Sequence, residues 1–118
     1  MISNTQKTLK ALKDLGWQCG MVERFNTHIG PFGIRQDLFG IIDIIAIKPG
    51  AIMGVQSTGQ AFAEHDRKIL KSEYLQPWLA SGALLELWGW RKIKKKRGGK
   101  QMIWSPRVKS YPLERGSI

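Results

Sequence analysis

At the start of the chain Leu9, Leu12 and Leu15 recur at helical spacing, with Lys7, Lys10 and Lys13 on the other side. Ser3 and Gln6 precede them at the spacing of a capping box, and Gly16 follows as a stop. The pattern predicts an amphipathic first helix with a basic outer face. From Trp17 to Phe25 the period changes to two, so Trp17, Cys19, Met21 and Phe25 are expected on one strand face, with Glu23 among them. Asn26 to Gly33, with one Pro and two Gly, reads as a loop. Leu38 to Ile47 is apolar on both faces with a single acid, Asp43, and predicts a buried strand. Lys48-Pro49-Gly50-Ala51 is a tight-turn sequence, and Ile52 to Thr58 is its return strand. A helix is expected from about Gly59 to Ser72 and a short one around Gln76 to Ala80. Leu84–Arg91 and Gln101–Val108 then form a strand pair. Helix, three strands, helix and hairpin make an α/β or α+β architecture with a mixed sheet.

Composition narrows the class. At 118 residues with 42% hydrophobic content, the chain suits one domain spanning residues 1–118. Nineteen Lys and Arg against nine Asp and Glu give +10, with a pI near 10.1, a field suited to DNA, RNA or an anionic membrane surface. No apolar run approaches the roughly 20 residues that span a bilayer. The N-terminus lacks the pattern of a signal peptide. The lone Cys19 can form neither an internal disulfide nor a thiolate zinc site by itself. The expected location is the cytoplasm, and the expected partner is nucleic acid rather than membrane.

With the turn at Pro49-Gly50, Lys48 pairs with Ala51, Ile47 with Ile52 and, counting outward, Asp43 with Gln56. Opposed residues have Cβ atoms about 4.5–5.5 Å apart on one face. Thr58 is expected on that face as well. Ile41, Ile42, Ile44 and Ile45 flank Asp43. Burying its carboxylate unpaired costs several kcal/mol. Either a salt bridge or strand-end hydrogen bond satisfies it, or it is a ligand for a hard divalent cation with Gln56 as an oxygen-bearing neighbour.

An Asp in an apolar strand, a turn, and a second strand carrying Glu/Gln-x-Lys resembles the core of the PD-(D/E)XK nucleases. That superfamily includes restriction endonucleases, archaeal Holliday-junction resolvases and the VRR-NUC domain. Arg35-Gln-Asp-Leu-Phe-Gly-Ile-Ile-Asp43 and Gly54-Val-Gln-Ser-Thr58 also resemble small phage and bacterial members, with a Val-Glu strand before them and Trp-Gly-Trp after. The likeness runs from about Trp17 to Val108. It implies a restriction-endonuclease-like core, a mixed central sheet with flanking helices. It further implies a Mg²⁺- or Mn²⁺-dependent hydrolysis of DNA phosphodiesters of endonuclease or junction-resolvase type, and a homodimer as one arrangement. Asp43 would be the central metal ligand, Gln56 would stand for the usual Glu, and the Ser57 carbonyl would be a main-chain ligand. Thr58 departs from the pattern, because the family has Lys there. Lys68 on the next helix would take that catalytic role, with Lys71 as second choice, although both also suit a solvated helix face. Gln being neutral, at least one of Glu23 and Asp37 should join any metal site. Asp37 could equally cap a turn or pair with Arg35.

Seven of the ten residues from Arg91 to Lys100 are basic: Arg91, Lys92, Lys94, Lys95, Lys96, Arg97 and Lys100. Beside Gly98-Gly99 they read as a phosphate-binding hairpin loop at about 91–100, with Arg35 and Lys71 as further contacts. Such a finger binds without reading sequence. Trp88, Trp90 and Trp104 on the adjoining strands suit core packing better than base stacking. His28 and His65 have no second-ligand pattern and read as surface residues. A catalytically inactive relative that only binds nucleic acid, and a basic structural nucleic-acid-binding protein, are the competing readings.

Overall fold

A computed structural model describes residues 2–114. Its elements run α1 (Asn4–Asp14), β1 (Gln18–Met21), β2 (Arg24–Asn26), β3 (Ile34–Gln36), β4 (Ile44–Lys48), β5 (Ala51–Thr58), α2 (Phe62–Lys71), α3 (Leu75–Ala80), β6 (Leu84–Lys94) and β7 (Met102–Ser110). The capping box forms: Ser3 Oγ accepts from the Gln6 amide at 3.1 Å, and the Ser3 amide donates to Gln6 Oε1 at 3.3 Å. This starts α1 where the sequence places it.

Five strands form one mixed sheet in the order β1-β4-β5-β6-β7. Only the β5–β6 pair is parallel, joined by the α2–α3 crossover; the other pairs are antiparallel. Leu12, Ile44, Ala46, Met53, Val55, Trp88 and Trp90 pack on the α1 side. Ile42, Phe62, Ile69, Leu85, Leu87 and Tyr111 belong to the core on the α2–α3 side. The protein is thus α/β, a mixed sheet with helices on both faces.

The β4–β5 register follows from the turn, with Lys48 opposite Ala51 and Ile44 opposite Val55. Gly50 has φ 80°, the left-handed value that the third position of a type II turn requires. Gly54 has a different reason. A Cβ there would lie 2.8 Å from Ile42 Cδ1, so the bare backbone lets Ile42 close over β5.

Several expectations need correction. Trp17–Phe25 is not one strand: β1 ends at Met21, and β2 pairs with β3 in a separate two-stranded sheet. Phe25 is accordingly 57% exposed. The buried strand is shorter than its apolar run, because Leu38–Ile42 folds back as a turn, with Leu38 N–H donating to the Ile42 carbonyl at 2.7 Å. Leu15 is exposed; α1 buries Thr8 and Leu12 instead. β6 and β7 outrun their expected ends, so Lys92 and Lys94 lie on the strand expected to stop at Arg91 rather than in the loop. Trp88 and Trp90 enter the core, but Trp104 stands 46% exposed.

Among the described residues, no helix is long and apolar enough to cross a membrane.

Candidate functional site

Asp43 and Gln56 are both buried, at 4% and 2% exposure, in an otherwise apolar neighbourhood. The ladder slips by one residue at Asp43. Its N–H donates to the Val55 carbonyl at 3.0 Å, so it no longer sits in the simple register opposite Gln56. The side chains still meet, with Gln56 Nε2 donating to Asp43 Oδ2 at 3.1 Å. The same Nε2 donates to Asp37 Oδ2 at 3.1 Å, and the Ser57 amide donates to Asp43 Oδ2 at 3.2 Å.

Two oxygens are left over. Asp43 Oδ1 and Gln56 Oε1 are buried with no hydrogen-bond partner. An unmet buried acceptor costs about 1–3 kcal/mol, and two in adjoining side chains are oxygens of the kind a hard cation takes as ligands. A strand residue's N–H and C=O point to the same side, so the Ser57 carbonyl also faces the end of β4. Among the described residues no three of His, Cys, Asp and Glu come together to hold a metal. A cation site here would therefore depend on the oxygens of Gln56 and Ser57, which are hard ligands suited to Mg²⁺ or Mn²⁺.

Burial pushes the Asp43 carboxyl up to about 7. The Ser57 amide opposes that rise, the charges of Asp37 and Glu23 add to it, and the Gln56 amide opposes it. Of the two auxiliary acids, Asp37 is tied to Asp43 through the Gln56 amide, whereas Glu23 acts on it through charge alone. Their surroundings differ from expectation. Asp37 bonds Gln56, and Arg35 instead pairs with Glu23 at 3.8 Å, an ion pair between a largely exposed guanidinium and a mostly buried carboxylate. Glu23 lies in the link between β1 and β2, not on a strand face.

The turn carrying Asp37 is held from outside. Phe39 has φ 55°, a left-handed conformation disfavoured for a large side chain. Its ring stacks on Tyr74 at 5.0 Å and meets Trp78 edge-on at 6.3 Å, so contacts at α3 offset the strain. On the opposite face, Ser57 Oγ lies 2.9 Å from Thr8 Oγ1, which also accepts from Trp90 Nε1 at 2.8 Å. That network ties the β5 segment beneath Asp43 to α1.

Asp37 also lines an open cleft of about 670 Å³, together with Arg24, Arg35, Phe39, Lys68 and Tyr74. Three cations therefore line the cleft around a single acid, Asp37, behind which Gln56 and Asp43 are buried. Lys68 reaches the cleft; Lys71, one turn on, is exposed and not among its lining residues. Thr58 is buried and supplies no cation.

Sequence reasoning missed Arg24 and His65. The His65 ring is half-buried, its Nδ1 buried without a partner. Burial lowers its pKa, Lys68 lowers it further, and Asp37 and Glu64 oppose both effects. The signal was its spacing: Phe62, His65 and Ile69 fall on one face of α2, and the first and last of these are core.

The seven cations from Arg91 to Lys100 are all exposed. β6 continues from Leu87, the partner of Gln56, to Lys94, placing Lys94 about 23 Å beyond the level of the site at ~3.3 Å per residue. The basic arm thus projects from the end of the sheet where Asp43 and Gln56 lie. No family model, curated protein or solved structure matches this chain.

Proposed function

We propose that the protein is a divalent-metal-dependent nuclease acting on DNA, with a restriction-endonuclease-like core. The observation that carries this reading is the pair of partnerless oxygens, Asp43 Oδ1 and Gln56 Oε1, buried beside Asp37 at the edge of a cation-lined cleft. Asp43, Gln56 and the Ser57 carbonyl would hold a Mg²⁺ or Mn²⁺ ion, with Asp37 and Glu23 supplying the negative charge that Gln56 lacks. A bound divalent cation polarises a phosphoryl oxygen and lowers the pKa of water. The chain's own residues then have distinct tasks. Arg24 and Arg35 attract and position the phosphate backbone at the mouth of the cleft. Lys68 donates to the charge that develops on the phosphoryl group. The arm from Arg91 to Lys100 adds affinity without base reading.

Incubation with plasmid and branched DNA plus Mn²⁺ tests the proposal. The wild type should nick or linearise DNA, and Asp43→Ala should not. Equal activity in both proteins, or none in the wild type, overturns it.

A second reading has an observation of its own. Gln56 Nε2 already bridges the Asp37 and Asp43 carboxylates, doing with an amide what a cation does in a metal site. A protein keeping that bridge would bind nucleic acid and cut nothing. The plasmid assay combined with a binding assay separates the two.

A further inference from the structure

The β6–β7 arm carries an apolar strip on the side facing α1. Trp88 and Trp90 enter the α1-side core, and their cross-strand partners are Val108 and Pro106. Alternation continues that face along β7 to Trp104 and Met102. Val108, Trp104 and Met102 are 43%, 46% and 47% exposed, and Pro106 is exposed between them. The strip is about 20 Å long at ~3.3 Å per residue. Cations border it: Lys7 Nζ stands 3.5 Å from the Trp104 ring centroid, and Lys92 Nζ stands 5.3 Å away. The radius of gyration, 15.8 Å, exceeds the roughly 13.5 Å typical of a compact chain this size, as a projecting arm requires.

Charge selects the occupant. Seven exposed cations on one arm repel a second copy laid along the same arm, and Pro106 removes a donor from the open edge of β7. A polyanion is attracted instead. Duplex DNA offers phosphates, but its base faces are stacked inside and cannot cover a tryptophan. Only unpaired bases present a π-face. Lys7 and Lys92, now over the Trp104 ring, have phosphates to turn to when a base takes their place.

We propose that this strip binds single-stranded nucleic acid, with a base stacked on Trp104 and phosphates on Lys7, Lys92 and Lys94. The inference rests on the nucleic-acid part of the reading above and not on hydrolysis. The strip faces α1, whereas the cleft lined by Asp37 and Lys68, behind which Asp43 and Gln56 are buried, shares no residue with it, so the two surfaces are separate.

Fluorescence anisotropy in excess chelator, with a labelled oligothymidylate and a duplex of equal length, tests it on the full chain. Trp104→Ala should weaken oligothymidylate binding roughly 5- to 150-fold, the range corresponding to one stacked base, and change duplex binding less than about two-fold. Trp104→Phe, which keeps an aromatic face, should recover most of the loss; the residue is exposed, so both variants should fold. Equal losses on the two ligands, or no loss on either, overturn the inference. So does a shift from dimer to monomer in sedimentation of Trp104→Ala without selective loss of the single strand, which would assign the strip to a second copy. Failure here with Asp43-dependent plasmid cleavage intact removes this inference alone. Selective single-strand loss in a protein that cleaves nothing removes the nuclease reading alone.

Discussion

Gln56 and Asp43 are joined by one hydrogen bond that leaves each with an unused oxygen. Nε2 donates to Oδ2 at 3.1 Å, while Asp43 Oδ1 and Gln56 Oε1 are buried without partners. Asp37 shares the same amide, so one neutral side chain keeps two carboxylates together. Replacing it by a carboxylate reverses the balance. Gln56→Glu should lower the melting temperature in chelator, through repulsion on the order of 1–3 kcal/mol from like charges left without a donor. The same variant should be stabilised by Mn²⁺ more than the wild type is. Calorimetry at pH 8 with and without Mn²⁺ checks both, and equal Mn²⁺ responses would remove Gln56 from the metal site.

Asp43 should make stability depend on pH in an unusual direction. Its carboxyl is raised by burial to about 7, against an ordinary value of 3.8. Between those pH values the folded state keeps a proton that the unfolded chain has released, so this group's contribution falls as pH rises through the window. Asp43→Asn removes the cost of ionising there. The variant should match the wild type near pH 3.5 and exceed it at pH 8 by on the order of a few kcal/mol. Denaturant titrations across the window measure the difference. A constant offset would mean that the Asp43 charge is not what burial penalises.

Lys68 is the cation that α2 brings to the cleft, and Lys71 is not. Lys68→Met keeps much of the stem and deletes the ammonium. In an active nuclease it should cut turnover about 10²-fold or more, with DNA affinity within a few-fold. Lys71→Met should change neither. Single-turnover cleavage separates the effects, and full activity in Lys68→Met would leave the missing Lys at Thr58 without a substitute.

The arm should make duplex binding steeply salt-dependent and nearly indifferent to sequence. Neutralising Lys94, Lys95 and Lys96 should flatten the slope of log K against log salt by roughly 2–3 units. An unchanged slope would show that the arm does not touch phosphate.

Local chemistry determined much of this protein before any tertiary contact. Ser3 and Gln6 specify where α1 starts, Pro49-Gly50 specifies the β4–β5 turn, and that turn carries the register to within one residue of Asp43. The isolation of Asp43 among isoleucines marked it as a buried acid, since burial of a charge costs too much to be incidental. The density of cations from Arg91 to Lys100 is equally a property of the chain alone. Tertiary structure decided what those residues meet. Asp37 bonds Gln56 and not Arg35 because Leu38–Ile42 folds back under Phe39, whose unfavourable φ is held by Tyr74, distant in sequence. Apolar periodicity could not reveal that fold-back, since an apolar turn and a buried strand share the same composition. Lys68 reaches the cleft only through the crossover that lays α2 on the sheet. Trp104 separates from Trp88 and Trp90 because β6 outruns the helices that cover its first half, and Trp104 pairs with the uncovered second half at Lys92. The alternating pattern records which face a side chain takes; whether anything covers that face depends on the lengths of elements elsewhere in the chain.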